Sequence, residues 1–388
     1  MIIERIELNQ FRNYEHLILE PHEGINLFYG PNGSGKTNLL EAIHLCALGK
    51  SHRVNHDQNL VMYGQSGASC VIRVQGRYAA DEIQVQLQSG EDHKKNIYVN
   101  SVRISRFSDL MGRLRCVLFS PEDLSVIRSG PSVRRRFLDM MISQVSSAYF
   151  IALQQYRIAL DHRTSILKNC KINGQKIPEM IEDFEAAMVK QAEIIIKERE
   201  RIIQFLAGYA GDIYFRISGS EKEKLRLHYR SSLLNAENPQ MNMRKMLQEG
   251  REEDMRFGQT CCGPHRDDLI ITLNQKDMKI YASQGQVRTA ILSLRLAQLS
   301  VLKELGGEMP ILLLDDVMSE LDFQRRMNLI QEMTHTQTFI TFADEQDIKD
   351  IQNHRTYYVS VNNGKADVTE KSEGSPQFKE KMTEPNFS

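Results

Sequence analysis

The sequence predicts an α/β protein with a mixed sheet, an additional antiparallel β region and an inserted arm of helices. Three observations lead to this fold class. A short β-like run at 25–30, INLFYG, ends at a glycine-rich loop that a helical pattern follows. A second apolar run, ILLL at 311–314, ends in two aspartates. Between these two runs, from about residue 131, the apolar residues repeat with the spacing of long helices.

The composition is that of an ordinary globular protein of two or three domains. The chain has 388 residues, of which 41% are hydrophobic and 26% charged, and its formal net charge is −1. No overall field therefore draws it to nucleic acid or to a membrane, and a site for a polyanion must be a local patch. The six cysteines show no CxxC spacing, no apolar run approaches the ~18–20 residues of a membrane span, and charge begins at residue 4. We expect a cytoplasmic protein with reduced thiols and no membrane partner.

The first predicted domain, residues 1–130, contains β-strands and one helix. IIERIELNQF alternates apolar and polar residues as a half-buried strand does. After the glycine loop, Leu39, Ile43 and Cys46 fall on one face of a helix. The runs CVIRVQGRY, EIQVQLQ, NIYVN and CVLFS, within 68–119, predict an antiparallel sheet. This part is locally basic, with 14 Lys and Arg against 9 Asp and Glu between residues 50 and 140.

Residues 131–255 predict the helical arm. One apolar stripe starts at Val133 and continues to Leu160, and a second runs from Ile181 to Ile202 after a break at 169–178. The simplest interpretation is two long antiparallel helices of roughly 30 residues each. An ordinary two-helix subdomain and a coiled coil with its own function are both compatible with this pattern. The first domain then resumes over 256–365, and residues 366–388 are predicted to be a flexible tail.

The glycine-rich loop predicts a site for the phosphates of a nucleotide. Its sequence, GPNGSGKT, fits the pattern GxxxxGK[ST] and stands between a strand and a helix, as that motif requires. Glycines let backbone N–H groups converge on a phosphate, the lysine neutralises its oxygens, and the threonine hydroxyl is a ligand for Mg²⁺. The residues of this predicted site are Gly30, Pro31, Asn32, Gly33, Ser34, Gly35, Lys36 and Thr37.

Two carboxylates complete the predicted site. Asp315 follows the apolar run at 311–314 and is the candidate that, with Thr37, holds Mg²⁺. Asp316 is the candidate catalytic residue that orients the attacking water. Roughly 280 residues separate Lys36 from Asp315. That spacing is too long for a small GTPase or a simple kinase.

A third segment indicates the class of nucleotide hydrolase. ASQGQVRT at 282–289 precedes a strongly helical run, so Ser283, Gln284, Gly285 and Gln286 stand at a helix N-terminus. Alone, such a segment is more often a capped loop. In this order with the phosphate loop and the aspartates, it resembles the signature of ABC-type ATPases, which in that class touches ATP held by another subunit. SELD at 319–322 resembles the loop that crosses the same dimer interface.

The complete set of motifs closely resembles the RecF family, bacterial DNA-repair ATPases related to the heads of SMC proteins. The motifs span about residues 1 to 345: LNQFRNY (8–14), the phosphate loop, FSPEDLSVIRSGPSVRRRFLD (119–139), GPHRDDL (263–269), SQGQVRT and LLLDDVMSELD. The resemblance implies an ABC-type ATPase head that dimerises around ATP and Mg²⁺. It also implies action on DNA at single-strand gaps, junctions or duplex, with RecR and RecO as partners in loading RecA and with a role in SOS induction.

Two departures from the ABC pattern bear on activity. Most ABC ATPases have Glu where this chain has Asp316, and the shorter side chain predicts slow turnover. FITFADEQD at 339–347 lacks the histidine that many relatives carry, and the usual glutamine loop has no evident counterpart. GPHRDDL is a family fingerprint without an assigned chemical role.

Arg134, Arg135 and Arg136 are the candidate DNA contacts, because they form the densest cationic run. Such a run is equally often a solvated helix face or a set of surface ion pairs. No aromatic ladder for stacking bases is evident, which favours contacts to the DNA backbone. Two other classes share the nucleotide motifs: the ATP-hydrolysing subunit of a transporter, and an SMC-like tether, which needs a far longer arm. Binding of nucleic acid without ATP would leave the phosphate-contacting motifs unexplained.

Overall fold

The computed structural model describes residues 1–89, 94–234, 238–318, 321, 323–333, 335–343, 354–362 and 364–371. The strands are β1 (Ile2–Phe11), β2 (Tyr14–Leu19), β3 (Ile25–Tyr29), β4 (Gly67–Gln75), β5 (Ala80–Gln88), β6 (Lys95–Val99), β7 (Val102–Arg103), β8 (Cys116–Phe119), β9 (Leu225–Arg230), β10 (Asp268–Leu273), β11 (Lys276–Asp277), β12 (Ile311–Asp315), β13 (Thr338–Phe342), β14 (His354–Asn362) and β15 (Lys365–Lys371). The helices are α1 (Lys36–Leu48), α2 (Leu124–Arg128), α3 (Pro131–Ser143), α4 (Ser147–Asn173), α5 (Ile181–Ser218), α6 (Pro239–Glu249), α7 (Arg251–Phe257), α8 (Met278–Tyr281), α9 (Gln284–Gly306) and α10 (Phe323–Met333).

A mixed sheet with the order β15-β14-β3-β13-β12-β8 forms the centre of the molecule. Strands β14, β3, β13, β12 and β8 are parallel, and β15 is antiparallel to β14. All residues of β12 and β13 are buried, as expected for parallel strands covered on both faces. Because parallel strands end at the same edge, the carboxyl ends of β3, β8, β12 and β13 lie together there.

The predicted antiparallel region is a second sheet with the order β2-β1-β4-β5-β6-β7. Along β4 every second residue is buried, which is the period predicted from its sequence. One assignment was wrong: CVLFS does not join this sheet. Its residues 116–119 form β8, which pairs in parallel with β12. The physical reason is that all four are buried, and a continuous apolar run suits a central parallel strand.

Helix α1 packs between the two sheets. Leu39, Ile43 and Cys46 are fully buried, as their spacing predicted. They belong to one apolar core with Phe28 of β3 and Leu313 of β12. The loop before α1 is therefore anchored to both sheets.

The inserted helices differ from the prediction in the first limb. It consists of two helices, α3 and α4, because the chain leaves helical geometry before Ser146, whose side chain caps α4 by accepting from the Tyr149 N–H. The second limb is the 38-residue α5, which packs along α4 and then against α9. Strand β9, from the segment assigned to the arm, pairs with β10. A three-stranded sheet, β11-β10-β9, thus joins the arm segment to the returning part of the head.

The first part of the predicted tail is a strand. Residues 366–371 belong to β15, which pairs with β14. The correction has a simple cause: Ala366 is buried and its N–H donates to the Asn13 carbonyl. Residues 372–388 lie outside the described part of the chain. Among the described residues, no helix is both long enough and apolar enough to cross a membrane.

Candidate functional site

The phosphate loop, residues 30–37, connects β3 to α1 at the carboxyl edge of the mixed sheet. Gly30, Gly33 and Gly35 have φ angles of 151°, 80° and 114°, which side-chain-bearing residues rarely adopt. A Cβ on Gly30 would lie 2.1 Å from the Val359 carbonyl oxygen, so this position requires glycine. The loop has the backbone that close approach to a phosphate needs.

Lys36 lies over this loop rather than in solvent. Its Nζ donates to the carbonyl oxygens of Gly30 (2.6 Å) and Pro31 (2.9 Å), and the residue is only 8% exposed. Partial burial lowers the pKa of Lys36, while Asp316 and Asp315 oppose that shift. A cation held in this way is available to phosphate oxygens.

The predicted metal-binding pair is brought together by the fold. Thr37 Oγ1 donates to Asp315 Oδ1 at 2.8 Å, although the two residues are 278 positions apart. Thr341 of β13 donates to the same oxygen at 2.8 Å. Asp315 is thus buried, oriented by two hydroxyls and adjacent to the phosphate loop.

Asp316 stands beside this pair in an unusual conformation. Its φ is 52°, in the left-handed region that non-glycine residues seldom occupy. Its N–H donates to Thr341 Oγ1 at 2.9 Å, and its side chain is exposed. Strained backbone of this kind is typical of functional positions. Thr341, which sequence reasoning missed, fixes both aspartates.

A second group that sequence reasoning missed supports the loop from the QFRNY turn. Asn13 Nδ2 donates to the Ser34 carbonyl at 3.1 Å, and Tyr14 OH donates to the Gly35 carbonyl at 3.1 Å. Arg12 is bound through two nitrogens, each at 2.9 Å, to the buried carboxylate of Glu41 on α1. These residues belong to the motif LNQFRNY, to which the sequence alone assigned no chemical role.

Ser283 caps α9, as predicted. The Ser283 N–H donates to Gln286 Oε1 at 2.9 Å, and Ser283 Oγ accepts from the Gln286 N–H at 3.3 Å. Gln286 also donates to Glu223, at 2.7 Å. Ser283 and Gln284 are exposed. This exposed helix N-terminus is accessible to a second molecule.

Two predicted features fall outside the described residues. In SELD, residues 319, 320 and 322 are not described. In FITFADEQD, residues 344–347 are not described. The sequence-based interpretations of both segments therefore stay predictions.

The residues present fit a magnesium nucleotide. Ser34 Oγ is buried and has no hydrogen-bond partner among the described residues. The Thr37 hydroxyl and the Asp315 carboxylate offer the hard oxygen ligands that Mg²⁺ prefers. Lys36 would meet the phosphates, and Thr37 with Asp315 would hold the metal.

The three predicted DNA contacts do not share one environment. Arg134 is 8% exposed, and its Nε and Nη2 bind both oxygens of Asp268 at 2.7 and 2.9 Å. Arg135 donates to the Asp267 carbonyl at 2.7 Å. Arg136 is exposed. Arg134 is therefore an internal ion-pair partner, which removes it from the set of DNA contacts because its charge is already neutralised.

GPHRDDL has a structural role: it fastens the helical arm to the head. The Pro264 carbonyl accepts from Arg199 of α5 at 2.8 Å, and His265 Nδ1 lies 2.7 Å from Tyr156 OH of α4. Asp267 accepts from Tyr229 OH of β9. Burial lowers the pKa of His265 to about 4. The two aspartates also hold the start of α3, as described above.

Comparison with known proteins agrees with this geometry. A family model described as RecF/RecN/SMC N terminal domain matches residues 2–366. The chain is similar to the DNA replication and repair protein RecF of Alkaliphilus oremlandii (strain OhILAs), at 41% identity over 95% of this chain and 100% of that protein. It is also similar to RecF of Clostridium novyi (strain NT), at 38% identity over 94% of this chain and 99% of that protein.

Solved structures give the same result. The recombination mediator protein RecF-ATPrS of the RecFOR pathway superposes with a TM-score of 0.86 at 33% identity, covering 94% of this chain and 97% of that chain. The Smc head domain with an extended coiled coil, derived from Pyrococcus furiosus, has a TM-score of 0.57 at 18% identity, covering 96% of each chain, and supports the fold alone. The predicted fold class is confirmed, and this chain belongs to the RecF family of DNA replication and repair proteins.

Proposed function

We propose that this protein is an ATP-driven switch that closes on DNA during recombinational repair and replication restart. It binds Mg²⁺ and ATP, dimerises with the nucleotide between two subunits, and is retained on DNA at single-strand gaps, junctions or duplex. In the cytoplasm it acts with RecR and RecO to load RecA and supports SOS induction. Slow ATP hydrolysis then releases the dimer.

The observation that carries the proposal is the convergence of Lys36, Thr37 and Asp315 at one sheet edge. ATP binding is further supported by the relative described as RecF-ATP, which is 33% identical and covers 95% of this chain. When bound, Mg²⁺ would neutralise phosphate charge and draw electrons from the phosphoryl group. Lys36 binds phosphate oxygens, and Gly30 to Gly35 supply backbone donors.

Dimerisation is supported by the position of Ser283. The N-terminus of α9 at Ser283 is exposed and makes no hydrogen bond with the described residues 30–37 of its own molecule. ATP held by a second copy is therefore its natural ligand. Asp316, at the edge of the same site, orients the attacking water. An aspartate reaches less far than a glutamate, which is consistent with slow turnover.

The experiment that tests the proposal compares the wild type with Lys36→Ala. Removing the only cationic side chain of the phosphate loop should weaken ATP binding and abolish ATP-dependent retention on DNA. Equilibrium titration with labelled ATP, and DNA retention with ATP, ADP or no nucleotide, measure the two effects. Retention of the Lys36→Ala variant at the wild-type level with ATP would contradict the proposal.

A further inference from the structure

A basic cleft of about 710 Å³ opens where the antiparallel sheet region meets α3 and α4. Six cations line it against two acids, and these charged residues are Lys50, Lys95, Arg135, Arg136, Arg157, Arg199, Asp139 and Asp161. Three of the cations have partners within the protein. Arg199 binds Asp139 at 2.8 Å, Lys95 binds Asp57 at 2.7 Å, and Arg135 donates to the Asp267 carbonyl.

The other three cations make no hydrogen bond or salt bridge with any described residue. These are the exposed side chains of Lys50, Arg136 and Arg157. Desolvation in the cleft lowers the pKa of Lys50, the charges of Arg136 and Arg157 lower it further, and the Asp139 carboxylate opposes that shift. Three like charges that repel one another around one space would be stabilised by an anionic ligand.

Aromatic side chains line the same cleft. Phe150 of α4 is half-buried, and Phe107, from a short 3-10 helix of the antiparallel region, is 39% exposed. Tyr156 and His265 form part of the lining and bind one another at 2.7 Å. Cations next to solvent-accessible aromatic rings are the combination that binds single-stranded nucleic acid, because the cations neutralise its phosphates while its bases stack on the rings.

The dimensions favour an unpaired nucleotide over duplex. The cleft is within the range of about 300–1,000 Å³ that is usual for small-molecule sites. A double helix is far wider than such a cleft and could contact only its rim. The cleft is also separate from the phosphate loop, because Lys50 follows the C-terminal end of α1 and Lys36 begins that helix. Twelve rises of about 1.5 Å place the two ends ~18 Å apart.

We propose that this cleft is a second nucleotide-binding site, which takes one or two unpaired nucleotides of a DNA strand. Lys50, Arg136 and Arg157 bind the phosphates, and Phe150 and Phe107 stack against the bases. This inference rests on the proposed DNA-binding function and deepens it by giving the single strand a site of its own. A free nucleoside polyphosphate has the same chemistry, so the experiment must separate the two sources.

The test measures binding of a fluorescent 12-residue oligo(dT), and of the same strand without bases, by anisotropy. The variants are Arg157→Glu, Phe150→Ala and Phe150→Leu, and the matched control is Lys190→Glu, an exposed cation of α5 outside the cleft. Arg157→Glu should weaken oligo(dT) binding about tenfold. The slope of log affinity against log salt concentration should fall by the amount expected for the loss of about one phosphate contact. Lys190→Glu should bind like the wild type.

The base-free strand tests the stacking step. The wild type should prefer oligo(dT) over it by about fivefold or more, the effect of one stacked base. Both Phe150 variants should lose most of that preference, and thermal melting shows whether they remain folded. If Arg157→Glu, Phe150→Ala and Phe150→Leu all bind both strands like the wild type, the proposal is overturned.

Two further arms separate the alternatives. Displacement of oligo(dT) by micromolar thymidine diphosphate would assign the cleft to free nucleotides and overturn the strand as its ligand. ATP-dependent retention on long duplex should be nearly unchanged in Arg157→Glu, and a loss equal to that for oligo(dT) would also overturn the assignment. If the wild type binds oligo(dT) in the cleft but shows no ATP-dependent retention, the proposed switch fails and the cleft assignment stands.

Discussion

The phosphate loop and the arginine run of α3 are both dense, charged motifs, yet only the first has the structure that its sequence predicts. In the loop, Lys36 and Thr37 are held beside Asp315 at the carboxyl edge of the sheet. In the run, three adjacent arginines have three different environments: a buried ion pair, a backbone contact and a solvent-exposed cleft wall.

The difference lies in where each motif has its partners. The loop's conformation depends on its own glycines, and parallel strands bring the aspartates to it by topology. An arginine's role depends on which carboxylate the fold places nearby, and the partner of Arg134 is 134 residues away. A local sequence pattern therefore predicts a site that is formed by backbone groups better than it predicts whether an arginine faces solvent or an internal carboxylate.

The largest expected effects are at the phosphate edge. Asp316→Asn should still bind Mg²⁺ and ATP through Asp315 and Thr37. It should hydrolyse ATP far more slowly than the wild type does, and should therefore accumulate as a dimer on DNA. Ser283→Arg should bind ATP as a monomer through Lys36 and fail to dimerise, because a bulky cation occupies the exposed helix end. Sedimentation with ATP and Mg²⁺ measures both. Dimerisation of Ser283→Arg at the wild-type level would contradict the assignment of the signature.

The next effect tests the division within the arginine run. Arg134→Ala should lower the free energy of unfolding by about 3 kcal/mol, because it leaves the buried Asp268 carboxylate with only the exposed Arg230, at 3.4 Å, as its ion-pair partner. Arg136→Ala, the matched control two residues further along α3 at an exposed position, should change it by less than about 0.5 kcal/mol. Chemical denaturation measures both values.

A double variant sharpens this result. Arg134→Met with Asp268→Leu removes both charges, so it should be less destabilised than Arg134→Ala alone. Equal loss in the double variant and the single one would show that packing, rather than the loss of the Arg134 charge beside Asp268, dominates at this position.

The parts of the molecule that the sequence did not predict have the same physical origin as the arginine result. CVLF is a continuous apolar run, which suits a buried parallel strand, but its position directly after the alternating runs of the antiparallel sheet led to β8 being misplaced. Thr341 is an unremarkable residue of an apolar strand until Asp315 lies beside it. Phe107 lies about 40 residues before Phe150 and Tyr156 of α4, so the cleft that they line together was not visible along the chain. By contrast, the N-cap at Ser283 and the buried face of α1 depend on residues within a few turns and were predicted correctly.

A smaller effect concerns the pH dependence of the GPHRDDL segment. Since the pKa of His265 is lowered from 6.5 to about 4, the unfolded chain binds its proton at a higher pH than the folded chain does. The contribution of this histidine to the free energy of unfolding is therefore present above pH 6.5 and is lost as the pH falls towards 4. At pH 5 the loss should be about 1–2 kcal/mol.

The measurement compares the wild type with His265→Gln, which cannot titrate. The wild type should lose about 1–2 kcal/mol more than this variant between pH 7 and pH 5. His228→Gln, at an exposed position of β9, should follow the wild type. Parallel pH profiles for the wild type and His265→Gln would show that His265 does not contribute.

The smallest expected effect tests whether the conformation of the phosphate loop depends on its own glycines alone, as the comparison with the arginine run suggests. Tyr14→Phe deletes the buried hydroxyl that donates to the Gly35 carbonyl and should lower the free energy of unfolding by about 1 kcal/mol. If the loop depends on this support, ATP affinity should fall by up to about fivefold, since the carbonyl fixes the peptide that enters α1. Tyr63→Phe, at a fully exposed position, is the control and should leave both quantities unchanged. Lower stability with unchanged ATP affinity would mean that the glycines alone set the loop, and the distinction between the two regions would then be sharper still.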